Sequence, residues 1–160
     1  GLLLDASGCV TMPDQPAFSA YVSSTFTNTG GYNTISTLQA TKYNNGNHYN
    51  TSLSRFVAPV SGVYSFGFQL LLSNVDTGDD SIHVAFFKNG SIELYGNARA
   101  PGSSAQNHVG YGGYLPVIGA LEVHLVANDY INLAMNNSNT TNVYYSSNTS
   151  WGRFYGHLIG

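Results

Sequence analysis

The chain has 160 residues, which is one domain's worth and enough to bury roughly 70% of the surface that its unfolded form exposes. Only 8% of those residues are charged, the net charge is −3, and no Lys/Arg cluster is present to track phosphates, so nucleic acid is excluded as a partner. No apolar run approaches the roughly 20 residues of a spanning helix and "GLLLD" is too short for a signal-peptide core, so no membrane insertion is expected.

The charge deficit is filled by Asn, Ser, Thr, Gly and twelve Tyr, a composition that makes an uncharged polar surface. Cys9 is the single cysteine. It permits no intramolecular disulfide and reads as a small apolar residue at the edge of a core. The first residue is Gly1 rather than Met, as expected of a processed chain or of a piece of a longer one.

Taken in order, the chain alternates with period two in short blocks and shows no helical periodicity, the pattern of strands. Residues 1 to 15 read as an N-terminal connecting segment or strand and residues 16 to 160 as one domain. Strands are expected near Ala17–Val22, Ile35–Leu38 and Leu53–Val57. Residues 62 to 72 place Tyr64, Phe66, Phe68 and Leu70 on one face, with Ser65, Gly67 and Gln69 on the other. Ile82, Val84 and Phe86 repeat the pattern. Asn89-Gly90 then separates "IHVAFFK" from "SIELYG", a strong hairpin signal, because a type I′ turn needs positive φ at both central residues. Further strands are expected over Tyr114–Val126, Asp129–Met135 and Trp151–Ile159. The stretches "SSTFTNTGGYN", "SNVDTGDD", "NARAPGSSAQNHVGYGG" and "NNSNTTNVYYSSNTS" read as polar loops. Many strands with no helix between them indicate an all-β chain of two packed sheets, a sandwich or jelly roll.

Catalytic signatures are lacking. The five histidines, His48, His83, His108, His124 and His157, are scattered singly, with no His-Glu-x-x-His, Cys-x-x-Cys or Gly-x-Ser-x-Gly pattern. Glu122 and His124 share a strand face and can be read as a metal or proton-exchange pair. An outward polar face alternating with Leu121, Val123 and Leu125 explains them better. A glycosidase needs paired carboxylates, and the two Glu and six Asp stand mostly in turns. The chain is therefore read as no enzyme, with no cofactor required. For calcium, Asp76, Asp79 and Asp80 in "DTGDD" offer oxygen ligands, although an acidic Gly-flanked loop is commonly a solvated turn. Five Asn-x-Ser/Thr sequons begin at Asn50, Asn89, Asn136, Asn139 and Asn148. Composition alone accounts for most of them, and they do not fix the host.

Asn44, Tyr49, Phe56, Gly62, Tyr64, Phe66 and Phe68 stand at the spacings of the central signature of the complement C1q globular head, with Leu38 where that signature usually has Phe. The resemblance runs outward to "PAFSAYVSS", "AFFKNGSIEL", "LVANDYINL" and "SWGRFYGHLIG" and covers roughly residues 16 to 160. It implies an antiparallel two-sheet jelly roll of the tumour-necrosis-factor type, about ten strands, assembled as a homotrimer on an N-terminal stalk or fibre shaft. Some relatives bind calcium through a carboxylate that has no counterpart here, since none lies between Glu93 and Glu122. "G-x-V-T-x-P-x-Q-P-A-F" near the start is similar to entries into such domains in bacteriophage fibre or tail proteins. The surplus of tyrosine is compatible with an interface.

The function implied is a trimeric recognition or adhesion head, extracellular or on a virion surface, that binds a host-surface glycan or protein receptor. The alternative is a structural subunit of an extracellular filament or capsid that assembles through the apolar N-terminal strand. Loops on a rigid sandwich are where binding residues concentrate, and Tyr, Asn and Ser are the palette of adaptable recognition loops. The expected ligand-binding residues are Tyr144, Tyr145, Asn142, Asn148 and Tyr111.

Overall fold

The computed structural model describes residues 3–4, 6–8, 10–12, 14–75, 82–99, 114–137, 140–146 and 151–160. Cys9, Asp76, Asp79, Asp80, Tyr111, Asn139 and Asn148 lie outside the described residues. The described residues contain strands and turns but no helix.

Two short strands, β1 (Leu3–Leu4) and β2 (Val10–Thr11), pair with each other as a separate hairpin. The domain proper runs through β3 (Ala17–Tyr21), β4 (Phe26–Asn28), β5 (Asn33–Thr34), β6 (Ala40–Asn45), β7 (Tyr49–Asn50) and β8 (Arg55–Val57). It continues through β9 (Gly62–Ser73), β10 (Ile82–Lys88), β11 (Ser91–Arg99), β12 (Leu115–Leu125), β13 (Tyr130–Asn137), β14 (Thr141–Val143) and β15 (Arg153–Leu158). All pairings among the described residues are antiparallel. One sheet runs β11-β10-β13-β8-β7 with β5 also on β13. The other runs β4-β14-β9-β15-β3-β6 with β12 on the free edge of β9. Of the strands with no expected counterpart, β4, β5, β7 and β14 are pairings of two or three residues, too short to leave an alternation in the sequence, whereas the six-residue β6 was missed outright.

The alternating aromatics of β9 fill the space between the sheets. Tyr64, Phe66, Phe68 and Leu70 are all buried. Phe66 meets Phe56 at 5.5 Å and Phe154 at 6.1 Å between ring centroids. Phe18 stacks on Tyr49 at 4.6 Å and on Phe56 at 5.2 Å. Such offset and edge contacts add to the apolar area each ring removes from water. Where β11 and β12 approach from different sheets, Phe68 fits because both strands carry glycine. A Cβ on either Gly96 or Gly119 would overlap its ring.

Two expected strands are shorter or displaced. Ile35–Leu38 is not a strand: β5 ends at Thr34 and pairing resumes at Ala40. Ile35 and Leu38 are nonetheless fully buried, so their hydrophobicity records core contact and not sheet pairing. Leu53–Val57 shrinks to Arg55–Val57 because residues 51–54 form a turn in which Ser54 has φ 49°. The expected loops "SSTFTNTGGYN" and "NNSNTTNVYYSSNTS" each contain strand: β4 and the start of β5 in the first, β14 in the second.

The Asn89-Gly90 hairpin forms as expected, with φ 52° and 84°. It is tied to the turn before β13. Asn89 Nδ2 donates to Asp129 Oδ1 at 2.8 Å, and the Tyr130 amide donates to Asn89 Oδ1 at 2.9 Å. Asp129 also accepts from the Val126 amide and pairs with Lys88 at 3.3 Å. The Asn89 side chain, the backbone amide and then Lys88 hold the Asp129 carboxyl below the usual carboxylate range.

Candidate functional site

The seven signature residues are structural. Asn44 closes the turn between β6 and β7 in both directions: its Nδ2 donates to the Tyr49 carbonyl at 2.9 Å and its Oδ1 accepts from the Tyr49 amide at 3.0 Å. The Tyr49 hydroxyl donates to the Leu38 carbonyl at 2.8 Å, and burial raises that phenol well above the usual range. The Tyr64 hydroxyl donates to the Val60 carbonyl at 2.8 Å. A Cβ at Gly62 would meet the Leu158 side chain at 2.7 Å and the Gly160 carbonyl at 3.0 Å. Phe56, Phe66 and Phe68 complete the core. Tyr49, Phe56, Tyr64, Phe66 and Phe68 are buried, and Asn44 and Gly62 are half-buried.

The expected binding residues divide. Asn142 is in β14, paired to Thr27 on β4 and to Ser73 at the end of β9, and its Oδ1 is buried with no partner. The Tyr144 amide donates to the Leu71 carbonyl at 2.8 Å, which fixes the chain leaving β14. Its ring meets Tyr114 edge to face at 5.2 Å. Tyr145 turns to the exterior. Tyr114, at the start of β12, thus belongs with Tyr144 and Tyr145 at this end of the sandwich. Nothing in the local sequence links positions 114 and 144; the link comes from β9, which carries β12 and β14 on opposite edges.

The outward face of the seven-stranded sheet presents a second surface. Its register sets rows across the strands: Ile118, Gln69, Arg153 and Tyr21 in one, Ala120, Gly67, Tyr155 and Ser19 in the next, and Glu122, Ser65, His157 and Ala17 in the third. Ile118 is 68% exposed, Tyr155 45% and Tyr43, beside Ser19, 49%. Large apolar side chains stand on this face with Gly67 and Ala120 between them, and the charged side chains Arg153 and Glu122 belong to the rows on either side of Tyr155. Glu122 and His124 are exposed on β12, between buried Leu121, Val123 and Leu125.

A C1q domain model matches residues 17–159. The chain belongs to the C1q domain family. The fold of this C1q domain is similar to that of the globular domain of zebrafish complement 1qA protein, at TM-score 0.59 and 17% identity, covering 91% of this chain and 98% of that one. Murine APRIL at pH 8.5 matches at TM-score 0.63 and 11% identity over 91% of this chain and 99% of its own. Eiger TNF from S. frugiperda matches at TM-score 0.60 and 12% identity over 92% and 94%. The C1q domain therefore has the jelly roll shared by complement and tumour-necrosis-factor heads. No curated protein matches it.

Proposed function

We propose that this C1q domain is a non-enzymatic recognition head that works as a homotrimer, at the end of an extracellular or virion fibre, and binds a host-surface glycan or protein receptor. The observation that carries the reading is the outward face of the seven-stranded sheet, where Ile118, Tyr155 and Tyr43 are exposed together. An apolar sheet face of this kind favours burial against another copy. Closed three-fold rotation ends the association that a heterologous contact would otherwise propagate. With that face covered, the end of the sandwich bearing Tyr114, Tyr144 and Tyr145 stays open for recognition. Tyr145 offers a ring face and a hydroxyl, suited to a neutral glycan or an uncharged protein patch.

Adsorption of the parent particle, or binding of the isolated trimer to a glycan array, tests the reading with Tyr144 and Tyr145 both changed to Ser. The expected result is lost binding by a correctly assembled trimer. Unchanged binding removes this end from the site.

A second reading, a filament or capsid subunit, is favoured by Leu3 and Leu4, which are 56% and 73% exposed on the β1–β2 hairpin. Exposed leucines on a detached hairpin suit an arm that docks on a neighbour. Deleting residues 1 to 12 separates the two: the head retains its trimer, whereas the subunit loses its polymer.

A further inference from the structure

The outer face of the other sheet carries a hollow of about 500 Å³ between two aromatic walls. On one side the segment after β4 is pinned by its own amides. Asn33 Nδ2 donates to Asn28 Oδ1 at 2.7 Å, and Asn28 Nδ2 donates to the Met135 carbonyl at 2.8 Å. This fixes Tyr32, whose ring lies 5.5 Å from Phe87. Burial and hydrogen bonding to Tyr95 push the Tyr32 phenol up to about 12. On the other side Arg55 lies with its guanidinium carbon 4.4 Å from the centre of the Tyr130 ring. Asn132 and Ala134 lie between the walls.

Arg55 is one of only five Lys and Arg in the chain. Its Nε is buried and has no hydrogen-bond partner. Among the described residues no carboxylate lines the hollow and none forms an ion pair with Arg55. A guanidinium held over a tyrosine ring is restrained by that contact, and its planar fork suits the two parallel hydrogen bonds that a carboxylate accepts. A buried guanidinium nitrogen without an acceptor is a cost that a bound anion relieves. The rest of the rim supplies hydroxyls, from Thr34, Ser36 and Ser52, and Asn132 already donates from Nδ2 to Thr34 Oγ1 at 3.1 Å. The volume falls within the roughly 300–1,000 Å³ typical of small-ligand clefts.

We propose that this hollow binds a carboxylate-bearing sugar residue, such as a uronic acid, with its carboxylate on Arg55 and its hydroxyls on the Thr34, Ser36, Ser52 and Asn132 rim. The site lies within one protomer, on the sheet opposite the apolar face, and its lining does not include Tyr144 or Tyr145, so it stands whether or not the trimeric reading holds. An acidic saccharide matches the hollow better than a neutral one, because its carboxylate is a charged, two-oxygen acceptor, whereas sugar hydroxyls offer Arg55 only single neutral ones.

Isothermal titration of the full chain with glucuronate, glucose and inorganic phosphate tests the proposal. Glucuronate is expected to bind with a Kd of about a millimolar and at least about tenfold more tightly than either glucose or phosphate. Arg55→Gln is expected to abolish the preference over glucose. Because Arg55 also packs on Tyr130, a second variant is used: Leu53→Asp, on the exposed rim, places a competing carboxylate beside Arg55 without touching the core. It is expected to weaken glucuronate at least about tenfold with an unchanged melting temperature. Absence of glucuronate binding, equal binding of glucose or phosphate, or a Leu53→Asp variant that binds glucuronate as wild type does would each overturn the proposal.

Discussion

Tyr155 on β15 lies across Gly67 on β9, so that a Cβ at Gly67 would come within 2.5 Å of the tyrosine hydroxyl. The contact is on the outward face, and the atoms it involves are at the far end of a flexible side chain. Gly67→Ala should therefore rotate Tyr155 outward at little cost to the protomer, within about 0.5 kcal/mol as for surface changes. The displaced ring should instead weaken association between copies. Chemical melts of dilute protein, compared with sedimentation at higher concentration, check both halves. A large loss of protomer stability with intact assembly would contradict the assignment of this face to the interface.

Gly119 gives the opposite case. A Cβ there would lie 2.4 Å from the Phe68 ring and 2.8 Å from the Gly96 Cα. Phe68 is buried and Gly96 offers only backbone, so neither can yield. Overpacking of this kind costs about 1–3 kcal/mol or more. Gly119→Ala should shift the urea midpoint by that amount, well beyond the effect of Gly67→Ala. Equal midpoints would mean that the two sheets do not close on Phe68.

Phe66 is packed by Phe18, Phe56, Tyr64 and Phe154. Phe66→Ala should cost about 3–5 kcal/mol, the usual loss for a large aromatic in a core. Against a domain's total of about 5–15 kcal/mol, this brings the fold to the edge of stability. Thermal melts followed by near-ultraviolet circular dichroism measure it. A melting point within a degree or two of wild type, on the order of the effect of a neutral surface change, would refute the placement of Phe66 between the sheets.

Stability should fall in alkali. The phenols of Tyr49, Tyr32 and Tyr64 are all raised, chiefly by burial. Each is neutral in both folded and unfolded chains below the ordinary tyrosine value of about 10. Above it the unfolded chain ionises first and gains over the folded one, so stability present below pH 10 is lost progressively through about pH 12 and beyond. Urea midpoints at pH 8 and pH 11 should differ, and Tyr49→Phe should flatten the decline. A wild type with equal midpoints at the two pH values would place these phenols in water.

The core and its hairpin were legible because their signals are local. Tyr64, Phe66, Phe68 and Leu70 occupy alternate positions, and Asn89-Gly90 needs its turn whatever surrounds it. Ile35 and Leu38 misled for a physical reason: burial without sheet pairing leaves the same apolar mark as a strand. β14 was hidden because Thr141–Val143 is three polar or small residues whose pairing with β9 and β4 is decided by tertiary position. The Tyr114–Tyr144 contact and the Arg55 hollow were invisible for a related reason. Each is assembled from segments far apart in the chain, and single-sequence periodicity carries no information about which strand edges meet. Asn142 read as a loop residue on its polarity alone, although its backbone is held on both sides by strands.

The central claim is that the exposed face bearing Ile118, Tyr155 and Tyr43 is covered by other copies of the same chain. Sedimentation equilibrium of the isolated domain at micromolar concentration tests it most directly, with Ile118→Asp as the matched variant. The account predicts a single species of three chains for the wild type and a folded monomer for the variant. A wild type that sediments as a stable monomer across the micromolar range would contradict it.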